Sequence, residues 1–144
     1  MKLKVAWIGK TKEPAIQALT DEYLKRLCRY VPVESISLKD EAALKGLGGR
    51  VARHHIVLLD SRGKEMSSEE LAKFIGDYQD RNPLPLVFAV GPANGFSEEM
   101  RQSASLLLSL SKMTVAHELA RVILLEQLYR AFTILKGHPY HLGH

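Results

Sequence analysis

Strand-like and helix-like segments alternate from one end of this chain to the other. That alternation predicts a single-domain α/β fold, a parallel sheet with helices on both faces. Two runs carry the prediction. Residues 56–60 (IVLLD) and 86–90 (LVFAV) are short and apolar almost throughout, the pattern of strands buried on both faces. The chain has 144 residues, 46% hydrophobic and 25% charged, which suits one core in one domain spanning residues 1–144.

The elements follow in order. Residues 3–8 (LKVAWI) read as a strand ended by Gly9, and 14–30 as a helix that tolerates Pro14 in its first turn. Val33–Leu38 alternates as a strand does. Residues 40–53 read as helical but broken near Gly46–Gly49. After the strand 56–60, Ser67 and Glu70 form a capping box that opens a helix over 68–81, and Asn82–Pro85 stops it. The strand 86–90 runs into the tight loop Gly91–Gly95 (GPANG). Ser97 caps a short helix, with Glu98 and Glu99 well placed against its dipole. Leu106–Leu110 is strand-like, 111–116 is a loop, and 117–136 is a long helix closed by Gly137 at a C-cap position. The tail reads HPYHLGH. Ligands of such folds bind beyond the carboxyl ends of the strands, which directs attention to the loops after Asp60, Val90 and Leu110.

The net charge of +4 is unevenly spread. Residues 1–56 hold eleven Lys/Arg against six Asp/Glu, and residues 57–144 hold nine against ten. The basic excess lies in Lys2, Lys4, Lys10, Lys12, Lys25, Arg26, Arg29, Arg50 and Arg53. Such a set favours a phosphate backbone or simply keeps the surface solvated. The single cysteine, Cys28, excludes an internal disulfide and fits a reducing compartment. In its amphipathic stretch it reads as a small packed residue rather than a nucleophile. No signal peptide or run of transmembrane length is visible, so a soluble cytoplasmic protein is expected, with no membrane partner.

The GPANG loop fits neither the dinucleotide fingerprint nor the Walker loop. By itself it is an ordinary turn, or one that lets a ligand approach the backbone. On the long helix, 100° steps place Arg121 among Leu124, Leu125, Leu128 and Phe132, with Glu126, Gln127, Arg130 and Thr133 opposite. A guanidinium there must be paired, must snorkel, or must meet a phosphate or carboxylate. Leu119 and Ile123 make the polar arc apolar as well, so this helix can pack on both the sheet and a partner subunit. The tail gathers His138, Tyr140, His141 and His144. Pro139 breaks helical spacing and no Cys or carboxylate accompanies these residues, which argues against a metal site. His117 reads as an exposed cap-region residue. No Ser–His–Asp order or carboxylate pair points to a hydrolase.

Taken together, MKLKVAWIGK, LLDSRGKEMSSEELA, VGPANG, LSLSKMTVAHELARVILLEQLYRAFTILKG and HPYH resemble the ribosomal large subunit methyltransferase H family, a compact branch of the SPOUT class, along nearly the whole chain. The resemblance implies a SPOUT fold with a C-terminal trefoil knot, and a homodimer with its sites near the subunit interface. It implies methyl transfer from S-adenosyl-L-methionine, without a metal, to N3 of a pseudouridine in 23S rRNA within the 70S ribosome. The cofactor contacts it implies fall on Leu59, on Gly91, and on Leu110, Ser111, Lys112, Met113, Thr114 and Val115. With it, His141 or Tyr140 becomes the candidate proton acceptor or base-orienting group. Arg121 becomes the candidate for holding a phosphate or stabilising the imide anion, and His138 a residue that shapes the tail. The chain departs from the family in three places. Pro92 stands where a second Gly is usual, which removes an N–H. Ala116 stands where Pro is usual, and residues 40–53 are shorter than the usual connection. Two other readings remain at this point: a SPOUT enzyme acting on tRNA, and a non-catalytic ribosome-binding factor.

Overall fold

The computed structural model describes residues 1–48 and 55–142. Arg50, Arg53, His144 and the end of the 40–53 segment lie outside the described residues. Five strands form one sheet: β1 (Leu3–Ile8), β2 (Val33–Leu38), β3 (His55–Glu65), β4 (Leu86–Val90) and β5 (Leu106–Ser109). Their spatial order is β2-β1-β4-β3-β5, and every pairing is parallel. All five residues of β4 are buried, as expected of a strand covered on both faces.

Side chains alternate between the two layers. Val5, Trp7 and Phe88 face the larger core with α1 (Pro14–Leu27), α3 (Ser68–Arg81) and α5 (His117–Lys136), where Leu27, Ile75, Leu124 and Leu128 complete it. Ala6, Val87 and Ala89 face the opposite side and pack with Leu44, Phe96 and Met100. That smaller layer is made by α2 (Glu41–Lys45), a 3-10 turn at Gly46–Gly48, and α4 (Glu98–Ser103). The expected capping box at Ser67 is formed in full, with the Ser67 hydroxyl accepting from the Glu70 amide and the Glu70 carboxylate accepting from the Ser67 amide.

Three local features differ from the sequence-based expectation. The helix α1 stops at Leu27 rather than residue 30. The amides of Tyr30 and Val31 both turn to the Leu27 carbonyl, and Pro32 disfavours helical geometry just before it. Cys28 therefore sits at the helix end and is exposed, not packed. Thr133, placed by periodicity on the polar side of α5, is buried. Its hydroxyl donates back to the Arg130 carbonyl at 2.6 Å, which satisfies it without water.

The third difference shapes the site. The strand β3 does not end at Asp60 but runs on to Glu65. It pairs with β5 before and after residues 60–63, so that Leu108 is the partner of both Leu59 and Lys64. At Gly63, inside the bulge between the two paired stretches, the backbones of β3 and β5 approach closely. A Cβ there would lie 2.6 Å from the carbonyl carbon and oxygen of Leu107 and 2.9 Å from the Leu108 nitrogen. Only glycine allows this approach.

Candidate active site

A cleft of about 360 Å³ opens beside the bulge of β3 and beyond the carboxyl ends of β4 and β5. Leu59 to Arg62 form one wall, Val90 to Gly95 the second, and Leu110, Ser111 and Met113 to Val115 the third, with His117 and Ala120 of α5 at the base. Its walls mix apolar side chains with loop backbone, the usual make-up of a small-molecule site. The GPANG loop is a turn in which the Gly95 amide donates to the Pro92 carbonyl at 2.8 Å, so Pro92 contributes an acceptor where it lacks a donor. The third loop is held by hydroxyls: Ser109 donates to the Ser111 carbonyl at 2.9 Å, and Ser111 accepts from the Met113 amide at 3.0 Å.

Asp60 is the cleft's acidic group. Its carboxylate accepts from Arg101 Nε at 2.7 Å and from the Arg62 amide at 2.8 Å. Burial pushes this carboxyl up, but the hydrogen bonds from Arg62 and the charges of Arg101 and Arg62 outweigh it and leave the group below its ordinary value. Asp60 is thus an anion at neutral pH, pinned at the point where β3 leaves its first pairing with β5.

Arg121 lies one residue beyond Ala120 and is fully enclosed. Periodicity placed it in the apolar arc of α5, and Leu124, Leu125, Leu128 and Phe132 are buried with it. No carboxylate forms a salt bridge with it among the described residues. Nη1 donates to the Thr11 hydroxyl at 2.8 Å, and Nη2 to the carbonyls of Ile8 and Gly9 at 3.1 and 3.3 Å. Its guanidinium carbon stands 5.5 Å from the centroid of the Trp7 ring. Among the described residues Nε meets no hydrogen-bond partner, and burial pushes the pKa of this cation down, against the pull of Glu118. Glu118 also accepts the amides of Lys12 and Glu13. The first turn of α5 therefore grips the β1–α1 loop from two sides.

Gly137 takes the left-handed conformation (φ +71°) that ends helices without strain. The His138 amide then donates to the Thr133 carbonyl at 2.9 Å, which sends the tail back along α5. His138 Nδ1 and the Tyr30 hydroxyl are hydrogen-bonded at 2.5 Å. The Tyr140 ring stands edge-on to Tyr129, with centroids 4.7 Å apart, and over the Arg130 guanidinium at 4.9 Å. Burial, then hydrogen bonding with Tyr23, pushes the Tyr140 phenol up to about 12. His141 is wedged between α5 and α3, with Nδ1 2.9 Å from Arg130 Nη1 and Nε2 2.5 Å from Glu69.

A family model described as "Predicted SPOUT methyltransferase" matches residues 1–141. The chain belongs to the SPOUT methyltransferase family. A curated relative from Koribacter versatilis, "Ribosomal RNA large subunit methyltransferase H", is 57% identical over the full length of both chains. A relative of the same description from Geotalea daltonii is 43% identical over 98% of this chain and 99% of its own. A solved structure of a probable methylase family protein from Haemophilus influenzae Rd KW20 superposes with a TM-score of 0.61. It covers 96% of this chain and 70% of its own at 8% identity, a likeness of fold alone.

Of the eight cofactor-contact positions that the family resemblance names, the structure brings seven to one cleft: Leu59, Gly91, Leu110, Ser111, Met113, Thr114 and Val115. Lys112 is not among them; its side chain is 87% exposed, with the amine 4.0 Å from Glu65. His117, expected to be an exposed cap residue, is half-buried and lines the cleft. Asp60 and Arg62 were missing from the residue-level expectation. The sequence had marked the stretch after Asp60 as a loop, whereas it continues β3. The tail residues do not reach the cleft along their own helix. Their partners Glu126 and Arg130 lie nine and thirteen residues past His117, roughly 14 and 20 Å along the axis.

Proposed function

We propose that this SPOUT methyltransferase uses S-adenosyl-L-methionine to methylate N3 of a pseudouridine in 23S rRNA within the 70S ribosome, in the cytoplasm and as a homodimer. The observation that carries the reading is the convergence of seven family positions on one cleft between the bulge of β3 and the loops after β4 and β5. The relatives' shared description supports ribosomal RNA as the substrate class. When bound, the cofactor supplies a methyl group already made electrophilic by its sulfonium. The cleft fits it in size, in its apolar walls of Leu59, Leu110 and Val115, and in the anionic Asp60 beside them. The C-terminal trefoil knot that the family resemblance implies is part of this proposal.

The protein's remaining task is to hold the base in line and manage the imide proton. The tail that carries His138, Tyr140 and His141 is the segment proposed to orient the base and receive that proton. Tyr140, with its phenol raised to about 12, is protonated at neutral pH and acts as a hydrogen-bond donor. Arg121 is enclosed, so its part is indirect: it fixes the loop that carries Lys10 and Lys12. Leu119 is 50% exposed, Ile123 37% and Met113 77%. They stand beside the cleft and form the face on which a second protomer is proposed to pack. A partner's tail brought over that face closes the distance along α5.

Calorimetric titration with S-adenosyl-L-methionine, followed by methyl transfer to ribosomes and to free tRNA, tests the reading. Binding with transfer to ribosomes is expected. Transfer to tRNA alone moves the substrate, and absence of binding with and without 70S ribosomes favours a non-catalytic ribosome-binding factor.

A further inference from the structure

The two tail imidazoles differ in what remains open on their rings. A guanidinium only donates hydrogen bonds. Arg130 is itself immobilised: Nε donates to Glu126 at 2.8 Å, Nη2 lies 2.6 Å from the same oxygen, and the guanidinium lies under the Tyr140 ring. Its Nη1 therefore donates to His141 Nδ1 at 2.9 Å, and Nδ1 must hold a lone pair. The proton of the neutral ring is then on Nε2, where it is donated to Glu69. A doubly protonated ring would point an N–H at the guanidinium. Both nitrogens of His141 are spent on the protein, and its side chain is only 15% exposed.

His138 is the reverse case. It is exposed, and its Nδ1 has the Tyr30 hydroxyl as partner. Among the described residues nothing meets its Nε2. A phenol can accept as well as donate, so Tyr30 supports the tautomer that leaves a lone pair outward on Nε2. It also supports the imidazolium that forms when that lone pair takes a proton. Tyr30 is in turn fixed by stacking at 6.2 Å on Phe132.

We propose that Glu69 and Arg130 make His141 a structural staple of the tail, and that His138, backed by Tyr30, is the imidazole the tail presents to the target base. This rests on the methyltransferase function proposed above. In that reaction the N3–H bond of the base breaks and its proton passes to Nε2 of His138. The freed electron pair forms the bond to the methyl carbon as the carbon–sulfur bond breaks with its pair remaining on sulfur. Glu69 and Tyr30 are positioning residues, acting through His141 and His138.

The test has a chemical arm and a kinetic arm. Diethyl pyrocarbonate acylates ring nitrogens with an accessible lone pair. Peptide mass spectrometry of the treated protein should find His138 modified at least roughly tenfold faster than His141. Nitrogen NMR should show His141 as a single Nε2–H tautomer, with the signal assigned by its loss in His141→Gln. Kinetically, His138→Gln should lower kcat on ribosomes about a hundredfold, the lower end for a lost general base, with cofactor affinity unchanged. Glu69→Ala should cost only roughly three- to fivefold, the scale of an exposed ion pair. It should also mix the His141 tautomers, while Glu69→Gln, which keeps an acceptor, restores both rate and tautomer. Equal modification of the two histidines, an Nδ1–H tautomer at His141, or wild-type kcat in His138→Gln overturns the assignment. A wild-type protein that binds no cofactor and methylates no RNA overturns the proposed function instead and leaves the acylation and tautomer results standing.

Discussion

Replacing Gly63 by Ala tests the close approach of β3 and β5 with one methyl group. The added Cβ would sit 2.6 Å from the Leu107 carbonyl and 2.9 Å from the Leu108 nitrogen. These are backbone atoms of a strand paired to β3, so no side chain can swing away. The chain must instead lift at residues 60–64, and the pairing of Lys64 with Leu108 and of Glu65 with Ser109 weakens. Overpacking of this kind costs about 2–3 kcal/mol, which for a chain of this size lowers Tm by roughly 5–10 °C. The cleft should suffer too, because the same segment carries Asp60 and Arg62. Thermal unfolding followed by circular dichroism, with calorimetric binding of S-adenosyl-L-methionine, reads both effects. The control is Gly46→Ala, where the added Cβ meets no atom within 4 Å and Tm should stay within about 2 °C of wild type. A Gly63→Ala protein with wild-type Tm and wild-type binding refutes the close approach.

Three further outcomes are expected. Arg121→Ala should lose about 3 kcal/mol in urea unfolding, because it empties a buried site and strips donors from Ile8, Gly9 and Thr11. Emission from Trp7, the single tryptophan, should shift to the red. Asp60 has its pKa lowered in the folded protein, so its contribution is present above the ordinary aspartate value and is lost as pH falls through the folded one; the stability gap between wild type and Asp60→Asn should narrow below about pH 4. Tyr140 has its pKa raised to about 12, so its contribution is complete below the ordinary phenol value and is lost as pH rises towards 12; an absorbance titration should lose one late-titrating tyrosine in Tyr140→Phe, while Tyr78, raised by burial, still titrates late.

The alternation of elements, the buried strands 56–60 and 86–90, the capping box at Ser67 and the Gly137 stop were all readable in order. Each depends on residues within a few positions of one another, and local periodicity and capping record such dependence directly. The place of the site was also readable, because a parallel sheet puts its loops on one side. The position of Arg121 in an apolar arc was visible; its acceptors were not, since Thr11, Ile8 and Gly9 lie more than a hundred residues away in sequence. The same holds for the tail. Its residue types announced chemistry, yet which imidazole is spent and which is open depends on Glu69 from α3, Tyr30 from the turn after α1 and Arg130 from α5. The extension of β3 past Asp60 was hidden for another reason. Residues 61–65 (SRGKE) carry no apolar signal, and they become strand only because β5 offers them backbone partners. Sequence alone determined the elements and the edge of the sheet where the cleft opens and the proposed chemistry would be done. Tertiary structure decided which polar groups remain free to do it, because a hydrogen bond between distant segments uses up a donor or lone pair and leaves no mark in local pattern.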